Sequence, residues 1–397
     1  MDAASGLCRI LWVVDSSKPG VGVVANVLRR FGKVVDAAGC TDQELVQIVY
    51  AERPDGITSY TDEDLHRHSW MAAALELPSP TVRSAALLTD KLLQREALAA
   101  AGVPQPRFSE VREPADRDEV ERLCGILSFP MILKPRDGSA SRGVRSVADA
   151  DELSRLLDEV ERPVRMILEE RMEDPPSTGA RGAHWSSLVS IDSIVSQDVV
   201  SHYGVNGYFP PAPPFRLTGG YFPADAAPSD IAEMLEMATA GLKVLGSGFG
   251  CYRTEIKATP QGHRILEVNG RHSGLAPTVV SLAAGVPMLQ WSMRLALGEH
   301  MVVEGPVACE RIAYRYFDEP PISAEKVLAF TGLDELRALP GVVRADVQKG
   351  PGDPVDWQNG SLDKVFEVTG TVATYAELAE RYRAFTEAVV VSYGHRA

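Results

Sequence analysis

The sequence holds no run of about 18 uninterrupted apolar residues, so it offers no candidate for a membrane-spanning helix. The apolar stretch Leu7 to Val14 has no basic segment before it and stops at Asp15, too short for a membrane span, and reads as a buried first strand. Its five cysteines, Cys8, Cys40, Cys124, Cys251 and Cys309, are scattered and never spaced as Cys-x-x-Cys. That suggests neither a thiolate zinc site nor a disulfide framework and fits a reducing cytoplasm. Positive charge is in deficit: Lys plus Arg number 40 against 54 Asp plus Glu, a formal net charge of -14. Sequence-independent nucleic-acid binding needs the opposite balance, although a local basic site for a nucleotide is still allowed. No repeat of fixed period, low-complexity tract or Walker A loop is present either.

What is present is 397 residues that are 45% hydrophobic and 24% charged, enough to bury a large core divided among two or three units. Short apolar runs alternate with helical ones up to about residue 88, predicting a doubly wound parallel-sheet α/β domain over residues 1–88. The segment 89–115 reads as a connecting helix and linker, ending in Gly102, Pro104 and Pro106. Residues 116–172 with 184–200 read as a small central module: helix, strand Met131 to Lys134, a Gly and Ser loop, helix, strand. Pro175 to Ala183 reads as a loop, and Asn206 to Pro214, rich in aromatics and prolines, as an irregular substrate-side loop. Residues 201–397 form a larger domain containing helix Pro228 to Leu245, a strand pair around Thr259 to His263, and a last helix Tyr375 to Val390.

Two constellations suggest chemistry. Lys134 precedes the loop Arg136 to Gly143, in which Gly138 and Gly143 let the backbone approach a ligand and Ser139 and Ser141 add hydroxyl donors. Such a loop suits polyphosphate, but a Gly and Ser loop between strand and helix is ordinarily just a turn. The second constellation is Glu255 on one strand with Glu267 and Asn269 on the next. Residues two apart on a strand share a face, so the trio converges if those strands pair, and three oxygen donors suit magnesium. Arg271 follows, placed to hold a transferring phosphoryl group or an oxyanion. The plain alternative is a pair of solvated hairpin carboxylates. His66, His68 and Trp70 read as surface or packing residues, and His272 as either a substrate contact or a structural histidine.

In their order and spacing, the segments TDKLLQREALAAAGVPQPRF, FPMILKPRDGSASRGV, ILEERMED and FGCYRTEIKATPQGHRILEVNGRHSG resemble the ATP-grasp superfamily. Within it they resemble the carboxylate-amine ligases, of the L-amino-acid ligase and carbamoyl-phosphate-synthetase-like branch. The resemblance implies an ATP-grasp fold, with a small lid module and a larger antiparallel-sheet catalytic domain after the parallel-sheet domain. It implies that Lys91 and Lys134 contact ATP phosphates beneath a loop containing Ser139, Ser141 and Gly143, and that Glu169, Glu170 and Met172 form the adenine hinge. Glu255, Glu267 and Asn269 would hold magnesium, with manganese as an alternative. Arg271, with Lys134, would be catalytic, and Ser273, Gly274, Tyr221 and His272 would face the substrate. Three departures bear on substrate and ribose contacts: Gly182 to Trp185 where the family often has a ribose Glu, Arg253 where a His is common, and Gly220 to Pro223 in place of a Gly-His motif.

The activity implied is ADP-forming amide synthesis between an amino-acid-type carboxylate and an amine, through an acyl phosphate. Small-molecule substrates are the expected partners; a homodimer is compatible with the sequence. The alternatives are a nucleotide-precursor or bicarbonate-using enzyme of the same fold, and a non-catalytic nucleotide-binding regulator. The regulator has no need of an arginine at the acyl centre.

Overall fold

The computed structural model describes residues 9–17, 21–113, 115–160, 163–175, 185–272 and 274–395, without the side chains of residues 22–24. Strands β1 (Ile10–Val14), β2 (Lys33–Asp36) and β3 (Gly56–Ser59) form a parallel sheet in the order β2-β1-β3. Every residue of β1 is buried, as a central strand covered on both faces must be. Leu11 and Val13 pack toward Leu45, Val49 and Met71, whereas Ile10, Trp12 and Val14 pack toward Leu28 and toward Met293 and Ala296. One face of the N-terminal sheet is thus closed by the helix Met288–Ala296, far along the chain. Gly56 permits that contact, because a Cβ there would lie 2.6 Å from the Ala296 carbonyl oxygen.

Strands β4 (Phe108–Glu110), β5 (Met131–Pro135), β6 (Arg145–Val147) and β7 (Met166–Glu170) form a four-stranded antiparallel sheet in the order β4-β7-β5-β6. The helices Arg117–Ile126 and Ala150–Glu159 supply Leu123, Leu153, Leu156 and Leu157 to its core. Asp116 and Asp149 cap them by accepting from Glu119 N and Glu152 N. The sequence reading passed over β6, a three-residue strand between loop and helix. It also left β4 inside the 89–115 linker, although β4 pairs with β7.

The third sheet has eight strands in the order β12-β11-β8-β9-β10-β13-β16-β15. They are β8 (Leu188–Ser196), β9 (Val199–Tyr208), β10 (Gly219–Phe222), β11 (Phe249–Thr259), β12 (Gly262–Asn269), β13 (Ile312–Phe317), β15 (Val342–Val347) and β16 (Phe366–Val372), while β14 (Ala324–Thr331) pairs with β17 (Val390–His395) alone. Here the expected module boundary is corrected: β8 joins this sheet, between β11 and β9, and not the four-stranded one. Its Ile191 and Val195 enter one core and Leu188 and Ile194 another, so it requires a sheet covered on both faces. Asn206 is likewise no loop residue; it lies in β9, fully buried, with Nδ2 donating to Asp192 Oδ2 over 2.5 Å. Pro228–Leu245 is helical as expected, and the last helix stops at Ala388, before β17. Most of the expected loop Pro175 to Ala183 lies outside the described residues.

Candidate active site

One cavity of about 1480 Å³ opens between the three sheets. Its wall includes Asp62 and Glu63 from the parallel-sheet region, Lys134, Ser139 and Glu169 from the four-stranded module, and Glu255, Glu267 and Arg271 from the large sheet.

The antiparallel register of β11 and β12 sets the floor. Glu255 lies directly opposite Glu267, and Arg253 opposite Asn269, so all four alternate onto one face. A register shift follows at once, between Glu255 and Ile256. Burial and the neighbouring Glu267 hold the Glu255 carboxyl above its ordinary range, against the pull of Arg253, whose Nη2 stands 3.3 Å away. Glu267 goes the other way: burial is outweighed by Lys91, Lys134 and Arg95, and its carboxyl is held below the ordinary range. Lys91 Nζ is 3.3 Å from Glu267 Oε1. Two facing carboxylates with one amide oxygen beside them form a hard donor set of the kind that suits a divalent cation. Among the described residues no three His, Cys, Asp or Glu side chains gather around a common point; a donor set here draws on the Asn269 amide beside Glu255 and Glu267.

Lys134 is positioned by charge. Its Nζ lies 2.9 Å from Glu169 Oε2, and Arg95 Nε lies 2.8 Å from Glu169 Oε1, all three side chains being almost fully buried. Against the burial, Arg95 and Lys134 pull the Glu169 carboxyl down to about 2. The helix Lys91–Ala100 presents Lys91, Gln94 and Arg95, and Gln94 clasps the β12 backbone by donating to Val268 O and accepting from Val268 N. Arg95 and Gln94 escaped the sequence reading. The signal was available: buried polar residues stand at helical spacing on the face that should be apolar.

The loop after β5 is tied down on three sides. Ser139 Oγ donates to Glu63 Oε1 over 2.9 Å, and Arg142 Nη2 pairs with the same oxygen at 2.7 Å. Ser141 Oγ donates to the Phe215 carbonyl, Ser361 N to the Ala140 carbonyl, and Lys91 Nζ to the Gly138 carbonyl. Arg271 Nε donates to Asp62 Oδ2 over 2.6 Å, and Nη1 to the His272 carbonyl. Asp62 and Glu63 also went unnoticed as site residues, although the acidic run after Thr61 opens a helix there.

Of the expected site residues, Lys91, Lys134, Ser139, Ser141, Glu169, Glu170, Met172, Glu255, Glu267, Asn269, Arg271, His272 and Gly274 all line this cavity. Tyr221 does not. It is buried against Trp185, Phe209 and Tyr375, because β10 points it into an aromatic core. Gly143 is a turn residue at φ 69° outside the lining, where a Cβ would meet Pro135 Cγ at 2.9 Å. Ser273 lies outside the described residues. The Glu169 carboxylate holds Lys134, and Glu170 Oε1 accepts from Arg107 and from Ser128 N. His272 is structural: Tyr203 OH meets Nδ1 at 3.1 Å, Ser292 Oγ meets Nε2 at 2.6 Å, and burial pushes the imidazole down to about 4.

No family model matches the chain. It is 27% identical over 317 residues to the uncharacterized protein y4rH of Sinorhizobium fredii, covering 78% of this chain and 62% of that one. It is 26% identical over 264 residues to human carnosine synthase 1, covering 62% of this chain and 31% of the relative. The chain thus spans less than two thirds of the length of either relative. Among solved structures, the L-amino acid ligase of Bacillus licheniformis superposes with a TM-score of 0.77 at 18% identity, covering 98% and 99% of the two chains. Carboxyaminoimidazole ribonucleotide synthase of Aspergillus clavatus, solved with ATP, gives 0.69 at 15% identity over 95% and 96%. The biotin carboxylase domain dimer of Hydrogenobacter thermophilus 2-oxoglutarate carboxylase, solved with MgADP, ADP and bicarbonate, gives 0.67 at 15% identity over 97% and 85%. The chain has the ATP-grasp fold. Its structural neighbours are ligases and carboxylases of that fold, and its wider sequence relatives include a carnosine synthase and a D-alanine–D-alanine ligase.

Proposed function

We propose that this chain is an ADP-forming ligase that joins an amino-acid-type carboxylate to an amine through an acyl phosphate. The observation that carries the reading is the facing of Glu255 and Glu267 across β11 and β12, with Lys91 and Lys134 gathered beside them. The full-length likeness to an L-amino acid ligase supports the choice of substrate class.

A carboxylate is a poor electrophile because its charge repels an amine and its oxide is a poor leaving group. Attack of a carboxylate oxygen on the γ-phosphorus of ATP forms a C–O–P linkage and breaks the β–γ bridge, releasing ADP. Attack of the amine on the acyl carbon then expels phosphate, and the amine gives up a proton. Glu255, Glu267 and Asn269 fit magnesium or manganese, because the raised Glu255 carboxyl shows an electrostatic conflict that a divalent ion would relieve. When bound, the ion supplies positive charge to the phosphate oxygens. Lys134, fixed by Glu169, and Lys91 add charge on the same wall. Arg271, held by Asp62, faces the acyl centre and stabilises its oxyanion. The loop Gly138 to Arg142 closes the cavity, which protects an acyl phosphate from water.

No helix among the described residues is long and apolar enough to cross a membrane. The test is a screen of amino acids in pairs for amine-dependent release of ADP and phosphate with ATP and magnesium. Release of AMP and pyrophosphate would overturn the acyl-phosphate scheme. The neighbours that are carboxyaminoimidazole synthase and biotin carboxylase support a second reading, a bicarbonate-using enzyme, which predicts bicarbonate-dependent ADP release instead.

A further inference from the structure

The cavity wall formed by β13, β15, the segment after β15 and the turn before β16 carries four cations, Arg315, Arg344, Lys349 and Lys364. Three have carboxylate partners: Arg315 Nη2 lies 2.7 Å from Glu367 Oε2, Lys349 Nζ lies 2.6 Å from Asp363 Oδ1, and Arg344 pairs with Asp346. Lys364 has none among the described residues. Its ammonium stands 4.1 Å from the centroid of the Phe317 ring, and the guanidinium carbon of Arg315 stands 6.0 Å from the same ring. Of the neighbouring carboxylates, Glu367 is paired with Arg315, and Glu319 meets Arg216 through Oε2 at 3.3 Å while its Oε1 is buried with no hydrogen-bond partner among the described residues. Arg315 Nη1 also donates to the Gly274 carbonyl over 2.8 Å, which ties this wall to the segment that follows Arg271.

A cation largely withdrawn from water with no carboxylate in ion-pair contact is unfavourable, and burial with Arg315 nearby, offset only in part by Glu367 and Glu319, pushes the Lys364 ammonium down to about 8. Phe317 compensates in part through its ring face. Nothing in the polyphosphate region calls for this lysine, since Lys91 and Lys134 serve that end. We infer that Lys364, with Arg315 and on the platform of Phe317, binds an anionic group carried by the amine substrate in addition to its reacting nitrogen. The ligand class is an amine bearing a carboxylate or a phosphate, as opposed to a simple alkyl amine. The inference rests on the ligase reading for the identity of the anion's carrier, but not for the anion site itself.

The experiment has two arms. In the first, ADP release by the full chain is compared for matched acceptors: glycine against glycinamide, and phosphoethanolamine against ethanolamine. Wild type favours the anionic member of at least one pair; which pair distinguishes carboxylate from phosphate. Lys364→Met collapses that preference by at least about tenfold in kcat/KM, chiefly through KM, and Lys364→Arg restores it, as for loss of one charge-assisted contact. In the second arm, succinate and inorganic phosphate are titrated calorimetrically with a non-hydrolysable ATP analogue and magnesium saturating the nucleotide end. Binding is seen in wild type and Lys364→Arg and lost in Lys364→Met. Anion binding that depends on Lys364 without ligase turnover supports the subsite and overturns the ligase reading. Turnover with an acceptor preference unchanged in Lys364→Met, or anion binding that survives the substitution, overturns the subsite.

Discussion

Arg271 Nε and Asp62 Oδ2 meet at 2.6 Å, joining the end of β12 to the first turn of the helix Asp62–Ala74. The pair fixes the direction of the guanidinium, and burial raises the Asp62 carboxyl even though Arg271 opposes it. Asp62→Asn keeps the shape and removes the charge. We expect kcat to fall by roughly 10- to 100-fold with little change in nucleotide affinity, because a buried charge-assisted contact is worth about 1.5–3 kcal/mol. Steady-state kinetics alongside nucleotide titration separates the two quantities.

Glu255→Gln should act in opposite directions on stability and activity. The substitution relieves the repulsion between two facing buried carboxylates, so in chelator the metal-free protein is expected to gain on the order of 1 kcal/mol. Amine-dependent ADP release should fall by about 100-fold or more, since phosphoryl transfer depends on charge neutralisation at that wall. Denaturation in chelator and turnover in magnesium give the two halves.

Glu169 provides a pH-dependent prediction. Its folded value, about 2, lies below the ordinary 4.5, so its contribution is fully present above the ordinary value and is lost as pH falls toward the folded one. Glu169→Gln leaves Arg95 and Lys134 without their shared counter-ion and is expected to cost about 3 kcal/mol near neutrality. The gap between wild type and variant should shrink as the pH is lowered from about 4.5 toward 2, measured by denaturant titration at each pH.

Gly360 has φ 63°, and a Cβ there would lie 1.9 Å from the Ala140 carbonyl oxygen in the docked loop. Gly360→Ala is therefore expected to displace the loop without touching a charged side chain of the site. Proteolytic cleavage within Gly138 to Arg142 should quicken in the presence of nucleotide, and kcat should fall about tenfold as water exclusion weakens.

Much of this arrangement was legible in the residues, for reasons that can be named. The pairing of β11 with β12 follows from two alternating runs around a short turn, and alternation puts Glu267 and Asn269 on one face; the register shift between Glu255 and Ile256, which no local pattern announces, sets Glu255 opposite Glu267. The Lys91–Ala100 helix and the Lys134 strand were marked by caps and prolines. What escaped was set by long-range packing. The burial of β8 on both faces decides its sheet, and no local pattern distinguishes an edge of one sheet from the middle of another. Tyr221 was misplaced because the aromatic core that accepts it draws on Trp185, Phe209 and Tyr375 from distant segments. The Asp62 to Arg271 and Glu169 to Arg95 pairs join residues 209 and 74 positions apart, beyond the reach of spacing.

The most direct test follows oxygen. Turnover is run with ATP, magnesium, an amine and amino acids labelled with ¹⁸O in their carboxyl groups, and the released phosphate is analysed by mass spectrometry. Passage through an acyl phosphate transfers one labelled oxygen from carboxylate to phosphate, and that label is the predicted result. Unlabelled phosphate, or labelled AMP accompanied by pyrophosphate, would contradict it.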